Sequence, residues 1–218
     1  MLLALSASAC VHPRHDVGTY FPLEIGNRWT YEVSGVNPRT DVVEILAIQK
    51  GDRGETRYVL SGSKTEEGGA RVYIRAEELV AMSVSAGIWS VYISGPLELG
   101  HRFSGAVTTN EGFHVEGETE SVFVAQRPDQ EMVPVREAGY KVVTSFDRSV
   151  TVPAGTFTGC LEVAHLVGTI VGVKYFAPQV GLVLSEAWNE DRAHHRRSLV
   201  SRQALTAYSL RNQTAAGK

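Results

Sequence analysis

The chain has 218 residues, 43% of them hydrophobic, with 21 Lys and Arg against 24 Asp and Glu. That length suits one β-rich domain with ample material for a core. A net charge of −3 gives no electrostatic case for nucleic acid or an acidic surface, so no nucleic-acid partner is expected.

The first ten residues read as a processing signal. Leu2-Leu3-Ala4-Leu5 followed by Ser6-Ala7-Ser8-Ala9 and Cys10 is an apolar run closing on small residues. That is the shape of a secretory h-region and cleavage site, too short to cross a bilayer as a helix. Small residues directly before a cysteine are similar to the bacterial lipobox. Cys10 is therefore the expected lipidation site, residues 1–10 the remnant of a lipoprotein signal peptide, and the membrane a partner through that anchor. Ala7 stands where the lipobox more often has Leu, and the missing basic n-region places the true start upstream. The alternative is a chance Ala/Leu/Ser run before an ordinary cysteine. Val11 follows the cysteine where Asp would mark retention, which by analogy with Gram-negative sorting favours the outer membrane over the inner, facing the periplasm.

Residues 11–19 read as a tether, 20–208 as one all-β domain and 209–218 as a disordered tail. Strands are predicted over 42–48, 57–60, 71–75, 88–94, 102–109, 114–125, 140–152, 157–167, 169–177, 181–188 and 194–204. The signals are β-branched residues and period-two alternation, as in Ile88-Trp89-Ser90-Val91-Tyr92-Ile93-Ser94. Turn residues fall between them at 50–54, 110–112, 153–155, 178–181 and 189–191. Short strands with hairpin-length gaps predict a curved antiparallel meander, a half-barrel or open barrel, with little helix. Residues 76–82 could form two helical turns, and 199–210 reads either as a last strand or as a helix. Residues 126–139 form the one long irregular stretch, where binding surfaces often sit. Cys160, in the apolar run 157–163, is expected to be buried and inert.

One internal echo stands out. Pro22-Leu23-Glu24-Ile25-Gly26-Asn27-Arg28-Trp29 recurs as Pro96-Leu97-Glu98-Leu99-Gly100-His101-Arg102-Phe103. Physically this is a structured lead-in to a strand. Pro fixes φ, Leu and Ile or Leu plug the core edge, Gly takes a positive φ, and Trp29 or Phe103 opens the strand as a buried aromatic. Two matching lead-ins imply two sheet halves that begin alike.

The stretch Tyr20-Phe21-Pro22-Leu23-Glu24-Ile25-Gly26-Asn27-Arg28-Trp29-Thr30-Tyr31 resembles the opening of a broad class of uncharacterised bacterial lipoproteins, in which FPLxxGxxWxY follows the lipidated cysteine. Val152-Pro153-Ala154-Gly155-Thr156-Phe157 resembles the second signature of that class. Tyr175-Phe176-Ala177-Pro178-Gln179-Val180-Gly181-Leu182-Val183 resembles its third, with Gln179 where Gly is usual. More loosely, the architecture resembles the half-barrels of periplasmic lipoprotein carriers. The residues themselves favour a folding role: Gly155 and Gly181 in tight hairpins, and Phe157 returning to the core.

Candidate chemistry is thin. His114, Glu116, Glu118 and Glu120 share one strand face, but a straight row does not converge on an ion. His194 and His195 point to opposite faces, and His12 and His15 flank a proline in the tether. No metal site or cofactor is expected. GxSxG, HExxH, Walker, GxGxxG and CxxC patterns do not occur in the sequence, so no enzyme is expected. The favoured function is a non-catalytic binding module for a lipid or hydrophobic ligand, with Trp89, Val91 and Ile93 and Val171, Val173 and Tyr175 as the ligand-facing positions. The alternatives are a scaffold lipoprotein that binds an envelope protein, and a hydrolase with dispersed residues.

Overall fold

The computed structural model describes residues 15–51, 55–61, 72–76, 78–85, 88–104, 106–108, 121–124, 134–137, 139–167, 170–191, 194 and 196–211. Cys10, the His114 to Glu120 row and His195 lie outside them. A four-residue helix, α1 (Val17–Tyr20), precedes β1 (Arg28–Gly35), β2 (Arg39–Lys50), β3 (Thr56–Leu60), β4 (Val72–Ala76), β5 (Leu79–Ser85), β6 (Ile88–Ser94), β7 (Arg102–Ser104) and β8 (Ala106–Thr108). Then follow β9 (Ser121–Val124), β10 (Pro134–Glu137), β11 (Gly139–Val152), β12 (Gly155–Val167), β13 (Ile170–Ala177), β14 (Gly181–Asp191) and β15 (Arg196–Ser209). Among the described residues no helix is long and apolar enough to cross a membrane.

The strands form one antiparallel, nearly closed, barrel-shaped sheet, as the strand spacing predicts. Its order is β7-β11-β12-β13-β14-β15-β1-β2-β3-β4-β5-β6-β8, with β9 and β10 paired separately. Two features turn the meander into a cylinder. The first strand pairs with the last, Arg28 opposite Ser209 and Val33 opposite Gln203. The two outermost strands, β7 and β8, are one residue apart in the chain. Residues 102–104 pair with β11 and residues 106–108 with β6, so one segment bridges both edges. Register shifts in β1, β2, β5, β11, β13 and β14 supply local twist of the kind that curls a sheet.

Both lead-ins adopt the same structure. Gly26 and Gly100 have φ of +86° and +83°. Asn27 N donates to Glu24 O and His101 N to Glu98 O, the closing bond of a turn with positive φ at its third residue. Gly26 N then donates to Ile45 O while Ile45 N donates to Asn27 O; Gly100 N, Val143 O, Val143 N and His101 O repeat the pattern. Trp29 and Phe103 are buried. One expectation is corrected. Leu23 and Leu97 plug the core edge, but Ile25 and Leu99 are 41% and 68% exposed, because the second residue of such a turn points outward.

The lead-in to β1 closes one end of the barrel. Val17, Tyr20, Phe21 and Leu23 are buried, so the stretch expected as a tether is already docked at its helix. Phe21 meets Tyr73 on β4 (5.1 Å), Tyr92 on β6 and Phe176 on β13 (both 5.9 Å), three strands from different parts of the wall. Each such ring contributes roughly 1.5–3 kcal/mol by burial. The first and third lipoprotein-like signatures prove to be neighbours here. Trp29 Nε1 donates to Val180 O (2.7 Å), Tyr31 Oη to Leu182 O (3.0 Å) and Gln179 N to Thr19 O (2.6 Å). Fully buried Ile45, Val143, Leu161, Val183 and Leu205 continue the core from this end.

Three further expectations change. Residues 76–82 are a β4–β5 hairpin, where Leu79, Val80 and Ala81 are buried; two isolated helical turns would leave most backbone groups unpaired. The 126–139 stretch contains β10 and the start of β11, and the turn expected at 189–191 is the end of β14. The open choice at 199–210 resolves as strand, since β15 is clasped by β14 and β1.

Candidate functional site

Beyond the plug the wall changes character. Cross-strand register aligns two rows of residues facing the barrel interior. The inner row runs Val143, Val163, Lys174, Ser185, Gln203, Val33. The row nearer the open end runs Lys141, His165, Gly172, Ala187, Ser201, Gly35. Large basic side chains from β11 to β13 thus neighbour small ones on β13 to β15. Ser185, Ala187, Ser201 and Gln203 remain only half-buried.

Three basic groups share this wall. The Lys174 ammonium donates to Ser185 Oγ at 3.0 Å and lies 5.2 Å from the centre of the Tyr92 ring on β6. Buried Lys141 reaches across the seam, its Nζ donating to Val91 O on β6, just beyond the residues that β8 pairs. His165 packs over Gly172: a Cβ there would collide with His165 Cε1 and Nε2 and stand 2.7 Å from Glu186 O, so only glycine fits. His165 Nδ1 is buried with no hydrogen-bond partner.

Burial and mutual repulsion govern their protonation. Burial, then the nearby Lys174 charge, lowers Lys141 to about 7. Burial alone lowers Lys174 to about 8. Burial, then Lys174 and Lys141, lowers His165 to about 3, which keeps it neutral. Neither ammonium has a carboxylate partner among the described residues. Asp41, a buried carboxylate of β2, stands instead beside Tyr31.

The residues predicted to face a ligand are not assembled together. Val91 and Ile93 are fully buried members of the core; Trp89 lies on β6, where its backbone alone is described. On β13 the inward residues are Gly172, Lys174 and Phe176. Val171, Val173 and Tyr175 are therefore on the outer face, where Tyr175 neighbours Glu162, and Glu162 pairs with Arg148 at 2.9 Å. Hydropathy picks the apolar parity of that strand, but the barrel turns the mixed one inward. A groove of about 270 Å³ lies on the same outer face, lined by Tyr140, Val142, Ala164, Leu166 and Val171, bordered by His165 and with the Glu190–Arg197 ion pair at its rim.

The other reactive groups sit apart. Cys160 is buried, and burial pushes its thiol up to about 11, which keeps it protonated. His15 stacks on Phe146 at 4.1 Å, His101 on Phe103 at 5.9 Å, and His194 is exposed. Among the described residues no group of three or more metal-ligating side chains occurs. Gly155 and Gly181 hold positive φ in the second and third signatures, with Pro153 exposed, Pro178 half-buried and Phe157 packed 5.9 Å from Tyr208.

No family model matches the chain, and no curated protein matches it. It is similar to a candidate exported protein of YmcC-like fold from Bacteroides fragilis, at 14% identity over 88% of this chain and 99% of that one, TM-score 0.43. It is also similar to a candidate lipoprotein from Parabacteroides distasonis, at 13% identity over 88% and 98%, TM-score 0.39. Likeness of this degree carries no conclusion about task or ligand.

Proposed function

We propose that the protein is an exported lipoprotein anchored through Cys10, working as a non-catalytic binding module for a lipid or other hydrophobic ligand at the cell envelope. The observation that carries this reading is the asymmetry of the barrel. One end is plugged by aromatic side chains, and the inner wall at the other keeps half-buried positions beside small residues. A folded domain leaves such a wall incompletely packed when something else occupies it. The lipobox-like run before Cys10 supports export and anchoring.

Native mass spectrometry of the membrane-extracted protein tests the ligand. A co-purifying species of lipid mass is the expected result, and a mass equal to that of the bare lipidated chain under gentle extraction counts against it. Behind a complete signal peptide, Cys10→Ser should leave the membrane fraction; retention at the wild-type level would refute the anchor. The outer groove favours a second reading, a protein contact at the envelope, for which a Val171→Glu variant that loses a cross-linked partner is the corresponding test.

A further inference from the structure

We propose that Lys141, His165 and Lys174 form an anion site on the inner wall, which takes the acidic head group of the hydrophobic ligand. This rests on the binding-module reading above and adds the charge of what is bound. Lysine is almost never buried without a partner, because an unpaired buried charge loses its hydration. Here buried Lys141 and half-buried Lys174 come together on adjacent parts of one wall, with a histidine between them that is the cross-strand partner of Lys141. Their partners among the described residues are a carbonyl, a hydroxyl and a ring face.

Among the described residues the geometry provides donors without an acceptor of full charge. Lys174 extends from β13 toward Tyr92 on β6. Neutral His165 carries a buried Nδ1 with no partner, and in the Nδ1–H tautomer it donates as well. A carboxylate or phosphate between these groups would receive charge-assisted hydrogen bonds, and its charge would offset the repulsion between the two ammonium groups. Ala187 and Ser201, half-buried and small, are the next residues along this row, while the place of a side chain at Gly172 is taken by the His165 ring. Toward the plug the space closes: the crevice lined by Phe21, Trp29, Tyr31 and Tyr73 holds only about 10 Å³, room for about one water. The apolar part of the ligand therefore extends along the wall toward the open end.

Lys141 and Lys174 could instead serve the fold alone, Lys141 as a clasp across the seam and Lys174 as a wall residue. Exchanging a buried ion for an apolar side chain of similar volume is often neutral or stabilising. Stability and binding therefore separate the two roles.

The experiment is calorimetric titration below micellar concentration with dodecanoate, dodecanol and inorganic phosphate, on the wild-type protein and Lys174→Met. The expected result is that dodecanoate binds at least ten times more tightly than dodecanol. Lys174→Met should then lose that preference at unchanged or higher Tm. Equal binding of dodecanoate and dodecanol, untouched by Lys174→Met, overturns the anion site and leaves the binding module standing. Phosphate binding as tightly as dodecanoate supports the anion site and overturns the hydrophobic ligand. No binding of any probe overturns both. A Tm loss in Lys174→Met, matched by Lys174→Gln, which keeps a donor for Ser185, makes the charge structural and also overturns the site.

Discussion

The two ends of the barrel solve opposite problems. At the plugged end, Trp29, Tyr31 and Asn27 bury polar atoms and satisfy them: the indole and phenol donate to backbone carbonyls of the third signature, and Asn27 bridges Pro22 O and Arg211 N. On the wall beyond it, Lys141, His165 and Lys174 face inward with no carboxylate bonded to them among the described residues. Stability concentrated in one region lets another carry groups that packing alone would not retain.

If that contrast is right, damage at the plugged end should be the most severe. Trp29→Ala removes a buried ring and its hydrogen bond and should cost about 3–5 kcal/mol, read as a lower denaturation midpoint at unchanged m. An unchanged midpoint would show that the plug does not hold the barrel. At the open end, Gly172→Ala forces a methyl into His165 and should cost about 1–3 kcal/mol by overpacking. Adding His165→Ala should recover the part of that loss due to the ring, with the contact to Glu186 O remaining, and a double-mutant cycle without coupling would place the ring elsewhere.

Acid should act on the open end first. His165 is lowered to about 3 from an ordinary 6.5, so between those values the unfolded chain binds the extra proton. Stability therefore rises with pH across that window and is lost as pH falls below 6.5. Thermal unfolding between pH 6.5 and 5 should show this slope, and His165→Gln should flatten it. The smallest expected change is a gain. Gln179 holds φ of +60°, a region that favours glycine, so Gln179→Gly should add about 1 kcal/mol and a few degrees of Tm. A loss would mean that the Gln179 side chain has a role at the plug.

Much of the scaffold was legible because its signals are local. Alternation marked β6, and the paired lead-ins announced two halves that start with the same turn. The third signature even carried a trace of backbone conformation, with Gln179 standing at a glycine position. What stayed hidden depends on long-range geometry. Which parity of β13 faces inward follows from its place in the barrel, and hydropathy favoured the side that lies outside. The basic cluster has no sequence signature, since Lys141, His165 and Lys174 are ordinary strand residues that only strand register brings together. The seam was equally invisible, since one segment pairs its first half with β11 and its second with β6.

The clasp between β1 and β15 also has a kinetic consequence. The first strand sits in the middle of the sheet, so one of its edges waits for the last strand to be made. Until then β1 exposes a row of unpaired backbone groups, the template on which strands aggregate. Closing so long a loop makes for slow folding. The nascent chain thus spends its most vulnerable interval with the N-terminal half assembled and its edge open, the period when a holding chaperone would matter most.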